Sequence, residues 1–108
     1  MLDDTFTALS DPARRKLVRR LAQQPQTAGM LAEPFAISRP AVSRHLRVLR
    51  EAGLVRVTAR GRERWYTLDP DGLAGAQQWL EEVQEMWAEA LQALKEYVEA
   101  DNEHNDRR

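Results

Sequence analysis

The stretch that decides the fold reads Ser38-Arg39-Pro40-Ala41-Val42-Ser43-Arg44-His45-Leu46-Arg47-Val48-Leu49-Arg50-Glu51-Ala52-Gly53-Leu54. Both ends of a helix are marked in it. Ser38 is an N-cap type, able to accept from an unpaired N–H of the first turn. Pro40 sits in that turn, where a missing N–H costs little. Gly53 falls where a left-handed residue closes a helix. At about 100° per residue, Val42, Leu46 and Leu49 form one apolar stripe. Pro40, Ser43, Arg44 and Arg47 point away from it, flanked by Arg39 and Arg50. One face packs on protein. The other offers cations and short polar groups, as a helix lying in a DNA groove would.

Upstream, Thr27 is an N-cap candidate for a short helix over residues 28–33, with Met30 and Leu31 inward. Pro34 ends it, and Phe35 and Ile37 are expected in the core. A short helix, a turn and a capped basic helix make a helix-turn-helix. Before them, Leu2, Phe6 and Leu9 mark an amphipathic helix over residues 3–9. Ser10 or Asp11 caps the next helix, and Pro12 suits its first turn. Ala13, Leu17, Val18 and Leu21 form its core stripe, with Arg14, Arg15, Arg19 and Arg20 lying away from it. Residues 23–26 end that helix.

Downstream of Gly53 the period changes to two. Residues 54–58 and 63–68 read as strands around a turn at residues 59–62 containing Gly61. This hairpin carries Arg60, Arg62 and Arg64 toward its tip. Tyr66 and Leu68 are expected to pack back on the helices, because an isolated hairpin is marginal. Trp65 alternates with Tyr66; it belongs on the outer face or against another element. After a turn at residues 69–72, a long helix over residues 73–100 repeats Leu73, Ala76, Leu80, Val83, Trp87, Leu91, Leu94 and Val98 at threes and fours. Trp79, Met86, Ala93 and Tyr97 widen the stripe. A helix of about 40 Å overhangs so small a domain. Its apolar face calls for the same helix of a second copy, the alternative being an intramolecular cover over the N-terminal helices. The fold class is therefore mainly α with a small β-hairpin: a winged helix-turn-helix of five helices and a two-stranded wing. Residues 1–72 form the DNA-binding region with an N-terminal dimerisation helix. Residues 73–100 form a second dimerisation helix of the same domain, and residues 101–108 a disordered tail.

Composition narrows the function. The 108 residues contain no cysteine, which excludes disulfides, zinc fingers and thiol nucleophiles. No nucleophile–base constellation, phosphate loop or metal cluster stands out, so neither an enzyme nor a cofactor is expected. No apolar run approaches the length of about 20 residues that spans a membrane, and no signal-peptide pattern opens the chain. The expectation is a cytoplasmic protein with no membrane partner. The formal net charge of -1 hides a division. Residues 1–68 hold 13 Lys+Arg against 6 Asp+Glu, and residues 69–108 hold 3 against 11. A basic N-terminal part faces a polyanion while an acidic C-terminal part points elsewhere.

The run Phe6-Thr-Ala-Leu-Ser-Asp-Pro-Ala-Arg-Arg-Lys-Leu17 resembles the N-terminal signature of the ArsR-type (arsenic-repressor-like) winged-helix regulators. So does the run from Ser38 to Val55, and Gly61 through Leu68, with Arg62 and Tyr66, resembles the wing that follows. The resemblance covers residues 5–68 in order and spacing, and the last helix fits the family's dimerisation helix. It implies a homodimeric transcription factor, usually a repressor. The helix after the turn would enter the major groove of double-stranded DNA, and the first and last helices would form the dimer interface. Many members sense metals through cysteines on the helix before the turn; here that stretch is Met30-Leu-Ala-Glu-Pro-Phe35. Others use Asp, His and Glu on the last helix, which here has no histidine before His104. The sequence resembles a member that does not sense metal, and it names no small-molecule effector.

The DNA-binding residues expected are therefore Thr27, Ser38, Arg39, Pro40, Ser43, Arg44, His45, Arg47, Arg50, Arg60, Arg62 and Arg64. Arg39, Ser43, Arg44 and Arg47 are the candidate base readers, since arginine meets guanine bidentately and serine suits several bases. Thr27 and Ser38 are caps first. His45 is either a structural brace between helices or a phosphate contact. The dimer interface expected is Leu2, Phe6, Leu9, Trp79, Leu80, Val83, Trp87, Leu91, Leu94 and Val98. A competing reading is a protein-interaction module that uses the acidic last helix, with DNA binding secondary or lost.

Overall fold

The computed structural model describes residues 2–34 and 36–106, with side chains through Asn102. Three of its helices start where a side-chain oxygen is at hand. Helix α1 (Leu2–Leu9) is followed by α2 (Pro12–Gln23), whose cap is Asp11, accepting from Ala13 N at 2.8 Å. Thr27 caps α3 (Ala28–Ala32), accepting from Met30 N at 3.2 Å. Ser38 caps α4 (Arg39–Glu51), accepting from Ala41 N at 3.3 Å. Gly53, at φ +78°, closes α4. Leu54 N donates to Leu49 O at 2.9 Å and Gly53 N to Arg50 O at 3.0 Å, the two bonds of a Schellman motif.

Strands β2 (Val55–Arg60) and β3 (Glu63–Leu68) pair antiparallel, with Arg60 opposite Glu63. The loop is thus Gly61-Arg62 alone, tighter than the four residues expected. Gly61 has φ +61° and Arg62 a negative φ, a type II′ pattern that matches the twist of the strands. A third strand, β1 (Gln26–Thr27), pairs with β3 and makes the sheet order β1-β3-β2. The two-stranded wing expected is β2 and β3, and β1 is an addition to its sheet. Two residues carry no strand periodicity, so only the neighbouring strand defines β1. Gln26 is buried; its amide donates to Arg20 O at 3.0 Å and its carbonyl accepts from Arg20 Nη2 at 3.1 Å.

The core gathers Leu17 and Leu21 of α2, Leu31 of α3, Val42, Leu46 and Leu49 of α4, Leu54 just before β2, and Val55 and Tyr66 of the sheet. Met30 and Ile37 are each 38% exposed and do not join it. In so short a helix Leu31 takes the inward position, and its neighbour Met30 lies about 100° round from it. The expectation for Phe35 lies outside the described residues.

Helix α5 (Ala74–Asp106) starts one residue after Leu73 and continues past residue 100, where an irregular tail was expected; after Gly75 in its first turn no proline or glycine intervenes to stop it. The rest of that expected tail, residues 107 and 108, lies outside the described residues. The chain forms two compact units, Met1–Ala76 and Gln77–Arg108, divided inside α5 and not at the turn before it. Among the described residues no helix is long and apolar enough to cross a membrane.

Candidate nucleic-acid interface

A helix with three buried residues on one side must turn its remaining side chains outward. Val42, Leu46 and Leu49 are fully buried, and Ser38, Arg39, Pro40, Ser43, Arg44, Arg47 and Arg50 are all exposed. At about 100° per residue, Pro40 and Arg44 fall opposite the buried stripe, on the crest of α4. Arg39, Ser43, Arg47 and Arg50 fall on one flank. That flank faces the wing. Ser43, Arg47 and Arg50 line a cleft together with Arg64 and Tyr66. Thr27, Arg39 and Ser43 line an adjoining one with Arg62 and Arg64. One surface thus unites the helix and the wing.

Strand register sorts the wing arginines. Residues directly opposite share a face, so Arg64, across from Ala59, lies with Tyr66 and Val57 on the face turned to α4. Arg60 lies on the other face, its guanidinium 5.7 Å from the Trp65 ring centroid, a cation–π pair. Register also decides for Trp65, half-buried on that outer face and paired with Thr27 of β1. Arg60 is therefore not brought to the clefts beside α4. Arg62 sits at the loop. Glu63 lines the same cleft as Arg62 and Arg64 and lessens its positive charge.

Arg39 lies over α3. Its guanidinium occupies the space that a Cβ on Gly29 would need, so the missing side chain of Gly29 seats Arg39. Nothing local in the sequence marks this contact.

His45 belongs to neither cleft. It is half-buried on the opposite flank of α4, and Arg14 Nη1 stands 3.4 Å from its Nδ1. A guanidinium only donates, so Nδ1 is the acceptor. Arg14 also donates from Nε to Ala8 O at 2.6 Å and from Nη2 to Thr7 O at 3.1 Å, and lies 3.6 Å from Asp11 Oδ2. Its side chain is 15% exposed. Three elements therefore meet at one guanidinium: the carbonyl end of α1, the cap of α2 and the back of α4. Arg15 Nη1 adds a bond to Leu9 O at 2.8 Å. The sequence had set Arg14 aside as a residue off the core stripe. Its three-residue spacing from Asp11 was visible, but not its contact with a residue 31 positions away. The Ala13 N–H, ahead of Arg14, holds the Asp11 carboxyl below the usual carboxylate range.

Most of the residues expected at a dimer interface stay out of their own unit's core, although Leu9 packs against it. Helix α1 buries Thr5 and Ala8. Phe6 is exposed, and Leu2 and Leu9 are half-buried. On α5, Trp79, Leu80, Trp87, Leu91, Leu94 and Val98 are exposed and Val83 half-buried.

With this geometry in hand, the comparisons with known proteins agree. A family described as a helix-turn-helix domain matches residues 9–58. An HTH-type transcriptional regulator of Mycobacterium tuberculosis is 40% identical over 101 residues, covering 94% of this chain and 92% of that one. The transcriptional repressor SdpR of Bacillus subtilis is 35% identical over 79 residues, covering 73% and 88%. Among solved structures, an ArsR-like transcriptional regulator from Rhodococcus superposes with a TM-score of 0.76. It is 34% identical, and the match covers 88% of this chain and 90% of that chain.

Proposed function

This chain belongs to the ArsR-type winged helix-turn-helix transcriptional regulators, a DNA-binding family, and from that premise we propose that it is a homodimeric repressor acting on an inverted-repeat operator. The observation that carries the reading is the continuous exposed surface joining α4 to the wing, with Arg39, Ser43, Arg47, Arg50, Arg62 and Arg64 around two adjoining clefts. The crest of α4 inserts in the major groove. Arg44 at its apex reads a base edge, and Ser43 and Arg47 reach the neighbouring edges. Arg62 and Arg64 take phosphates beside the groove. Ser38 and Thr27 use their hydroxyls as caps, and the exposed N-terminus of α4 favours a phosphate.

The small residues that α1 buries, with Phe6 exposed, support dimerisation, as does the apolar stripe of α5. A stripe of this length in a small water-soluble regulator is a surface for a second copy. The dimer would set half-sites about 34–36 Å apart, or a multiple of that. Occupancy of a promoter by such a dimer, in the cytoplasm, would block polymerase.

Selection of bound sequences from a random DNA pool, using the purified protein, tests the whole reading. An enriched inverted repeat with half-sites one helical turn apart is expected. Enrichment of a single half-site would remove the dimer, and no enrichment at all would remove sequence-specific recognition.

A further inference from the structure

Away from the DNA surface, the first unit holds an apolar cavity of about 260 Å³. Its walls are Leu9 at the end of α1, Val18 of α2, Leu54 and Leu68 at the root of the hairpin, and Leu73. Leu54 belongs to the core, and Leu9, Val18 and Leu68 pack against it, so the floor is fixed by the fold. Polar groups come from two places. Arg15 and Arg19 line one side, four residues apart on α2. Asp69 lines another, but its carboxylate is already engaged, by Arg56 Nε at 3.2 Å and Asp71 N at 3.0 Å. Arg15 is held in place by its bond to Leu9 O, while among the described residues nothing engages Arg19.

Two like charges four residues apart on a helix repel. An anion between them relieves that repulsion, and the planar guanidinium matches a carboxylate. We propose that this cavity is a binding site for a small carboxylic acid with an apolar body, its carboxylate between Arg15 and Arg19 and its chain among Leu9, Val18, Leu54, Leu68 and Leu73. The site does not depend on the DNA surface. An occupant touches the root of the wing, because Leu68 pairs with Val55 and Leu54 O accepts from Asp69 N at 2.9 Å. Any effect on DNA rests on the regulator reading.

The test titrates the full chain with octanoate, octan-1-ol and octylamine, and follows methyl signals by NMR in the absence of DNA. Octanoate is expected to shift the five wall residues. Octan-1-ol should bind about tenfold more weakly, the ratio that one charge-assisted hydrogen bond supplies, and octylamine more weakly still. Arg19→Gln should abolish the preference for the acid while the alcohol still binds. Leu73→Trp, which fills the cavity from its half-exposed side, should abolish both. Equal binding of acid and alcohol, or shifts confined to α4 and the wing tip, would overturn the proposal. So would octanoate binding unchanged in Leu73→Trp, or sedimentation showing that Leu73→Trp converts a dimer to a monomer, since the cavity would then be a seat for a second copy. A failure of DNA binding would leave these arms untouched.

Discussion

Replacing Arg14 by methionine keeps the aliphatic stem and deletes the guanidinium that joins α1, α2 and α4. Two charge-assisted hydrogen bonds to α1 carbonyls are lost, at 2.6 Å to Ala8 O and 3.1 Å to Thr7 O, along with the weaker 3.4 Å contact to His45 Nδ1. Such bonds contribute about 1.5–3 kcal/mol each. The two are unequal in consequence. Thr7 O keeps Ser10 N at 3.2 Å and Ser10 Oγ at 2.6 Å, so it remains satisfied. Ala8 is fully buried, and its carbonyl loses this side-chain donor at the end of α1. The ion pair with Asp11 is long and a third exposed on the acid side, and adds little. The net expectation is a loss of about 2–3 kcal/mol, which for a domain of this size lowers Tm by about 10 °C or more. Urea denaturation at fixed protomer concentration measures it, with the midpoint falling and the slope unchanged. Arg15→Met is the control. It is exposed and makes one bond, to Leu9 O, so about 1 kcal/mol or less is expected. If Arg14→Met stays within about 0.5 kcal/mol of wild type, the range of ordinary surface substitutions, the clamp does not hold these helices together.

Three further outcomes are expected. Arg44→Ala should weaken binding to the selected operator by about 1–3 kcal/mol and relax one base position; an equal loss on random duplex would instead mark a phosphate contact. Gly72→Ala should cost about 1–3 kcal/mol in thermal unfolding. A Cβ there stands 2.7 Å from Gly53 O and 3.1 Å from Leu54 Cα, backbone atoms that a rotamer change does not move. Asp11 and Asp69 are both held below the usual carboxylate range, chiefly by the N–H groups of Ala13 and Asp71 and then by Arg14 and Arg56. A depressed carboxylate stabilises the fold above its unfolded pKa of about 4, and that contribution fades as pH falls through the folded value. Stability should therefore drop on acidification below about pH 5, and a double Asp11→Asn, Asp69→Asn variant should show a flatter profile there. A profile as steep as wild type would assign acid lability to other carboxylates.

Local chemistry carried the sequence a long way. The caps at Thr27 and Ser38, the closing Gly53 and the stripe of Val42, Leu46 and Leu49 depend on neighbours within a few positions and formed as read, while Asp11 took the cap open to Ser10 or Asp11. Where a partner had to come from far along the chain, reading stopped. Strand β1 exists because Tyr66 and Trp65 lie beside Gln26 and Thr27. Met30 and Ile37 are apolar, but their exposure depends on which neighbours fill the core first. The division among the wing arginines, with Arg64 toward α4 and Arg60 on Trp65, follows from register; a loop one residue longer, pairing Arg60 with Arg64, would put both on one face.

By itself, then, the sequence determined the order of the helices and the two hairpin strands, the basic outer face of α4 and its arginine-bearing wing. Periodicity, capping and charge act over one or two turns of chain and are written in adjacent residues. Only the tertiary structure decided which cations share a surface, that His45 is braced by Arg14 while Arg39 rests on Gly29, and that an arginine-lipped cavity opens beneath the root of the wing. Each of these needs side chains from separate elements within a few ångströms, and that proximity is fixed by packing the whole unit.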